Sequence, residues 1–267
     1  MFWKGAGNMY LKLLKYDLKS MFKTMIPLWI ALIAISVIMG VQIWLSGEQY
    51  MVMGGLIHMS SEILMLGFVA LFIAVVVLNV MIIVQRFWNG LLKEEGYLMF
   101  TLPVSPRSLI LSKAISSFII SMISMAAVTI CIFIFMQSIF ATITSEDLIR
   151  IIMESIQETD VLSVGTGNVL LVICSVILGM ISSIYHIYAA MAIGHLSNKN
   201  RFLCSFGAFI GISIVLNAID SPLTDLFITE TSSFRMDMMF ILVSFAIEIV
   251  IFHVITELIL TYKLNLE

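Results

Sequence analysis

Residues 63–85 read ILMLGFVALFIAVVVLNVMIIVQ, with no charged side chain and with Asn79 and Gln85 as the strongly polar exceptions. A helix needs about 20 mostly apolar residues to cross the roughly 30 Å hydrocarbon core of a bilayer, so this stretch is long enough to span. Working outward from it, further apolar runs fall at 26–45, 109–136, 168–193, 203–219 and 238–260, giving six expected spans. Strands of a membrane barrel would alternate in and out over segments of about ten residues, whereas these runs are continuously apolar. Lipid offers no partners to backbone N–H and C=O groups, and a helix satisfies them within its own segment. Composition agrees. Of 267 residues, 61% are apolar and 12% charged, and the mean hydropathy is +1.09. A soluble domain carries about a quarter charged residues, so this chain has too few polar groups to cover a surface facing water. The predicted fold class is an all-α integral membrane protein with six transmembrane helices.

The N-terminal segment has a different pattern. Leu11, Leu14, Leu18, Met21, Phe22 and Met25 recur at spacings of three and four, with Lys12, Lys15, Lys19 and Lys23 on the other side. The pattern predicts an amphipathic interfacial helix over 1–25 whose lysines meet anionic membrane lipid, followed by a transmembrane domain over 26–267. A solvated cytoplasmic helix would give the same periodicity. Five lysines between Lys4 and Lys23 interrupt the segment, so it does not read as a cleavable leader.

Charge sets the expected orientation. The N-terminal segment, the 86–108 connection with its edge residue Lys113, the 194–202 connection and the tail hold 12 of the 14 Lys and Arg residues. Only Arg150 and Arg235 fall on the other side. Basic residues concentrate in cytoplasmic loops, so both termini and the second and fourth connections are expected inside. The expected location is the cell membrane, multi-pass, in a bacterium. Outside lie two acidic connections, one with Glu146, Asp147, Glu154, Glu158 and Asp160, the other with Asp220, Asp225, Glu230 and Asp237. In the first, Leu148, Ile151, Ile152 and Ile156 predict a short amphipathic surface helix. In the second, Pro222 is expected to begin a turn, and Leu226, Phe227 and Ile228 to dip back into the membrane.

The connection 86–113, RFWNGLLKEEGYLMFTLPVSPRSLILSK, has internal structure of its own. Leu91, Leu92, Tyr97, Leu98 and Phe100 supply an apolar side, and Glu94 and Glu95 a polar one. Pro103 and Pro106 stop a helix, and Ser105-Pro106 suits the cap and first turn of the next span. An apolar side on a charged cytoplasmic loop calls for a partner surface, although lipid can also bury it. Glu94, Glu95, Gly96, Leu102, Pro103, Val104, Ser105, Pro106, Leu109 and Lys113 together resemble the corresponding segment of the ABC type-2 exporter permease family.

The resemblance implies that 86–108 is a coupling helix docking on a separate ATP-binding subunit, through Glu94, Glu95, Gly96, Tyr97, Leu98, Phe100, Pro103 and Ser105. It further implies a dimer with a second permease copy or a paralogue, with ATP and Mg held by the partner subunit and no cofactor in this chain. The function implied is export of an amphiphilic substrate: a peptide, a lipid-linked molecule or a drug-like compound. The twenty methionines suit such a substrate and are equally ordinary membrane-core filler.

Catalytic signatures are absent from the sequence. GxxxxGK[ST], HExxH and GxSxG do not occur, and no Arg stands three residues after the Glu94–Glu95 pair. The chain is expected to be a non-catalytic membrane subunit with no nucleic-acid partner. Cys131, Cys174 and Cys204 lie in apolar runs with no CxxC pair, which predicts packed thiols, no disulfide and no metal.

Ionisable residues inside a span are costly and are functional candidates. Glu248, His253 and Glu257 share the last span. His253 and Glu257, four apart, can meet on one face, while Glu248 is expected to point about 140° from His253. A proton relay and a structural polar contact are both compatible with this spacing. His186 reads as a core or interfacial histidine, and Asn217 and Asp220 either line an exit path or bond the turn at Pro222. Two rival functions follow: an ion-coupled transporter or channel using Glu248, His253 and Glu257, and a peptide-sensing or immunity protein using the acidic outer loops.

Overall fold

A computed structural model describes residues 2–49, 54–93, 106–140, 166–197, 199–228 and 233–263, with side chains placed over 13–42, 62–93, 106–137, 167–197, 199–228 and 233–263. In chain order the helices are α1 (Phe2–Gln49), α2 (Gly54–Phe87), α3 (Pro106–Phe140), α4 (Thr166–His195), α5 (Arg201–Phe227) and α6 (Phe234–Tyr262), with a π-helical turn at Trp88–Leu92 after α2. Each helix contains a segment long and apolar enough to cross a membrane, and no strand occurs among the described residues. With 27 residues even the shortest exceeds the about 20 that a perpendicular crossing needs, so these helices tilt or project beyond the hydrocarbon.

Two expected boundaries disappear. α1 continues through Pro27, so the lysine-bearing segment and the first span are one helix and not two elements joined at residue 25. Proline removes one backbone hydrogen bond, a loss that membrane helices tolerate where neighbouring packing holds the chain. Here Met25, Trp29 and Leu32 are buried on either side of it. Met21 and Met25, expected in the headgroup boundary, are covered by protein. Likewise α5 continues through Pro222 to Phe227, so no turn begins there, and Leu226 and Phe227 close the same helix. Ile228 is extended and its N–H bonds Thr224 O at 2.8 Å. The drop in hydropathy at Asp220 marks where apolar character ends, not where helical geometry does. The segment with Leu148, Ile151, Ile152 and Ile156, expected to form a short surface helix, lies outside the described residues.

The chain divides into two units: Met1–Leu18, Ile82–Phe118 and Val164–Glu267 form one, and Lys19–Met81 and Ile119–Ser163 the other. In the second unit the buried side chains of α1 are those of Met21, Met25, Trp29, Leu32, Ser36 and Met39. Their spacing of three and four is that of a helix presenting one seam to its neighbours. Polar bonds cross the packing: Trp29 Nε1 donates to Ser124 Oγ at 3.2 Å, and Asn79 Nδ2 to Ser121 Oγ at 3.3 Å. Association in lipid lacks a hydrophobic driving force, so such bonds and close packing hold helices together.

The first unit has its core around Phe87 and Tyr188, whose rings stack with centroids 4.2 Å apart. Tyr188 is fully buried and shares a 2.8 Å hydrogen bond with Ser117. Leu91, Leu92, Leu109, Ile110 and Phe252 complete this core. α4 and α5 come into close contact at Gly194, where a Cβ would collide with the Ser205 backbone. The short link between these helices turns at Asn200, which adopts φ 53. Small residues permit this approach of backbones in membrane helices. Gly194→Ala is therefore expected to destabilise by about 1–3 kcal/mol through overpacking. Gly207→Ala, whose methyl meets nothing within 4 Å, is expected to be neutral or mildly stabilising. Thermal unfolding of the purified protein in detergent distinguishes the two, and equal midpoints would contradict the packing described.

Candidate functional site

Asp17 occupies the apolar side of α1, three residues after Leu14 and four before Met21. Its side chain is only 2% exposed, and Lys113, from the second turn of α3, is 4% exposed. The ammonium of Lys113 donates to both carboxylate oxygens, at 2.8 Å to Oδ1 and 2.7 Å to Oδ2. Arg86, in the last turn of α2, places Nη1 3.5 Å from Oδ1 and its guanidinium carbon 5.9 Å from the centre of the Tyr16 ring. One carboxylate thus binds both the helix that leads into the 93–105 connection and the helix that leads out of it.

The outgoing arm is shaped to this contact. After Phe87 the chain widens into the π-helical turn Trp88–Leu92 and then becomes extended at Lys93. Single π turns inside or at the end of α-helices recur at functional sites. Gly90 lies within the turn, where a Cβ would come 2.9 Å from Lys113 Nζ and 3.0 Å from its Cε. Glycine leaves the space that the lysine occupies. Leu91 and Leu92, expected on the apolar side of a cytoplasmic helix, are instead 0% and 3% exposed in the first unit's core and are not available to a partner. The wider π turn directs them inward beside Leu109 and Ile110. Trp88 meets His195 and Phe202 edge-on, with ring centroids 6.0 and 5.8 Å away, so the α4–α5 connection packs on the same arm.

The returning arm starts at Pro106, the position expected to open the helix. Arg107 pairs with Glu257 of α6, and Glu257 lies 3.9 Å from His253 Nε2. The anticipated meeting of His253 and Glu257 is present, but a third group, Arg107, completes it. Glu248 and His253 each meet a residue of α4: Ser182 Oγ donates to Glu248 Oε2, and the His253 ring lies 5.4 Å from the Tyr185 ring. His186 is stacked between Phe209 and Phe252, with centroids 4.5 and 5.2 Å away. Asn217 bonds Ser213 O of its own helix at 2.8 Å. Glu94, Glu95, Gly96, Tyr97, Leu98, Phe100, Pro103 and Ser105 lie outside the described residues.

No protein-family model matches the chain, and neither does any curated protein or solved structure. The architecture identifies it. This is a polytopic all-α membrane protein with six apolar helices among its described residues.

Sequence reasoning passed over Asp17, although the signal was available. It is the lone acidic residue before Glu48, and it interrupts the apolar face and not the lysine face. An acid on a packing face must meet a buried cation or lose several kcal/mol by desolvation. Removing one partner of such a pair strands the other, at about 3–5 kcal/mol. Asp17→Asn and Lys113→Met are each expected to destabilise by that order, and Asp17→Leu combined with Lys113→Met by much less than the sum. Arg86→Ala, at a longer and partly exposed contact, is expected to lose about 1 kcal/mol or less. A double-mutant cycle by denaturation in detergent measures the coupling, and strictly additive effects would refute it.

Proposed function

We propose that this chain is the transmembrane permease subunit of an ATP-driven exporter, in which a separate nucleotide-binding subunit hydrolyses ATP and drives export of an amphiphilic substrate. The observation that carries the proposal is the grip of one buried carboxylate, Asp17, on both arms of the 93–105 connection. A connection that only reverses the chain has no need of a buried base. One that receives force from a partner needs both ends fixed to the helices it moves, because a loosely mounted loop would bend without shifting them. Arg107–Glu257 and the contact of Trp88 with His195 and Phe202 extend this mounting to α6, α4 and α5.

In this reading both termini and the 93–105 connection are cytoplasmic, which the distribution of Lys and Arg supports. Two permease copies, or this chain and a paralogue, enclose the path, and each docks one connection on an ATPase subunit. Closure of the ATPase pair pushes the connections, and the pinned arms pass the movement to α2 and α3 as rigid elements exchanging two arrangements. The resemblance of Glu94 to Lys113 to the exporter permeases supports this assignment. An ion-coupled transporter is the second reading, and one observation favours it: Glu248 stands within a span with a hydroxyl as its partner. Glu257 and His253 support that reading less, being engaged with Arg107 at the base of the connection.

Affinity purification of the tagged chain from native membranes in mild detergent tests the proposal. An ATPase subunit is expected to copurify with the wild type and to be lost from a variant carrying Glu95→Ala and Leu98→Asp. Absence of any ATPase from the wild-type preparation, under conditions that preserve other such complexes, would overturn it.

A further inference from the structure

His195 closes α4 just beyond the apolar run 168–193 and is 6% exposed where that helix hands over to α5. Its ring is held from two sides. Arg201, which opens α5, brings Nη1 to 3.3 Å from Nε2. A guanidinium only donates, so Nε2 accepts, and the proton of the neutral ring sits on Nδ1. That N–H serves the backbone carbonyl of Leu92, the last residue of the π-helical turn. Trp88, the first residue of the same turn, meets the His195 ring edge-on at 6.0 Å between centroids, and Phe202 at 5.8 Å. One neutral imidazole therefore fastens the π turn to the start of α5, with one nitrogen donating and the other accepting.

This arrangement suits a neutral ring and opposes a charged one. A second proton, on Nε2, turns the acceptor into a donor aimed at another donor, and sets two positive charges across the same 3.3 Å. The groups facing the ring are Trp88 and Leu92 from the π turn and Arg201 and Phe202 from α5, and of these Arg201 alone carries charge. Arginine keeps that charge at any ordinary pH. The cations Lys93, next after Leu92, and Lys199, two before Arg201, flank the contact in the chain. Histidine is the side chain that changes charge between about pH 5 and pH 8. The neutral form makes both bonds, so the contact is complete above the pH at which the ring protonates and is lost as pH falls through it. Gly194, packed against Ser205, keeps α4 on α5, so the π turn is the part set free.

We propose that His195 is a proton-operated latch, which fastens the π turn to the α4–α5 link when neutral and releases it when protonated. The latch is a property of this chain alone. Its use rests on the exporter reading above: release loosens the outgoing arm of the 93–105 connection and uncouples transport when the cytoplasm acidifies.

Spin labels at Asn89 and Gly207, both exposed, in a background with Cys131, Cys174 and Cys204 replaced, report the separation of the π turn from α5. Pulsed dipolar spectroscopy is carried out on the purified chain in detergent, without any ATPase, at about pH 8 and about pH 5, either side of the ordinary histidine range. A narrow distance distribution is expected at the higher pH and a broadened or displaced one at the lower. His195→Gln offers one donor and one acceptor but takes no proton, and is expected to stay narrow at both. Arg201→Gln gives the protonated ring a carbonyl to donate to, and is expected to lose most of the acid response. A wild-type distribution indifferent to pH, or the same acid response in His195→Gln, would overturn the latch. Should His195→Gln fail to fold, an undiminished acid response in Arg201→Gln overturns it instead. An absent ATPase in the copurification would leave this result untouched, so the two proposals fail separately.

Discussion

The carboxylate of Asp17 is held between two cations in a place that water hardly reaches, and much of the first unit is arranged around that contact. Two charges taken out of water cost several kcal/mol each, and only close, well-directed contact returns that cost. The bidentate approach of Lys113 meets this condition, and it dictates local features that would otherwise lack a cause. A glycine stands at position 90 because the ammonium passes beneath it. α2 widens into a π turn at its end, and the leucines of that turn point into the core. Lys113 enters the second turn of an otherwise apolar span because its partner waits there.

Buried ion pairs are poor sources of net stability compared with apolar packing of the same volume, but they specify one arrangement. Lys113 cannot slide by a turn without abandoning Asp17, whereas a leucine in its place could find other apolar neighbours. That distinction matters most where two helix ends must keep a fixed relation while force is applied between them. The second ion pair, Arg107 with Glu257, is more exposed, with Arg107 74% accessible, and adds less energy. It ties the same first turns of α3 to a different helix, so its contribution is directional.

The spans and helical class were legible in the sequence because lipid imposes a simple rule: long apolar runs must be helical. Helix ends were less legible. The boundary expected at residue 25 and the turn expected at Pro222 both fall inside continuous helices, the first with buried packing on either side and the second with helix continuing beyond the apolar zone. The site was read in halves. Spacing brought His253 and Glu257 together correctly, but Arg107 belongs to a partner 150 positions away in the chain, which periodicity cannot show. Asp17 was hidden among lysines, where an acid looks like ordinary surface charge, until its phase with Leu14, Leu18 and Met21 is noticed. Leu91 and Leu92 looked exposed because the π turn that rotates them inward has no signature in residue type.

The claim that one buried carboxylate fixes both arms of the connection is tested most directly by a distance between them. Spin labels at Lys93 and Leu111, both exposed, can be placed in a background with Cys131, Cys174 and Cys204 replaced, and their separation measured by pulsed dipolar spectroscopy. The account predicts a single narrow distance distribution with Asp17 present and a broadened or displaced one in Asp17→Asn. An unchanged narrow distribution in Asp17→Asn would contradict it.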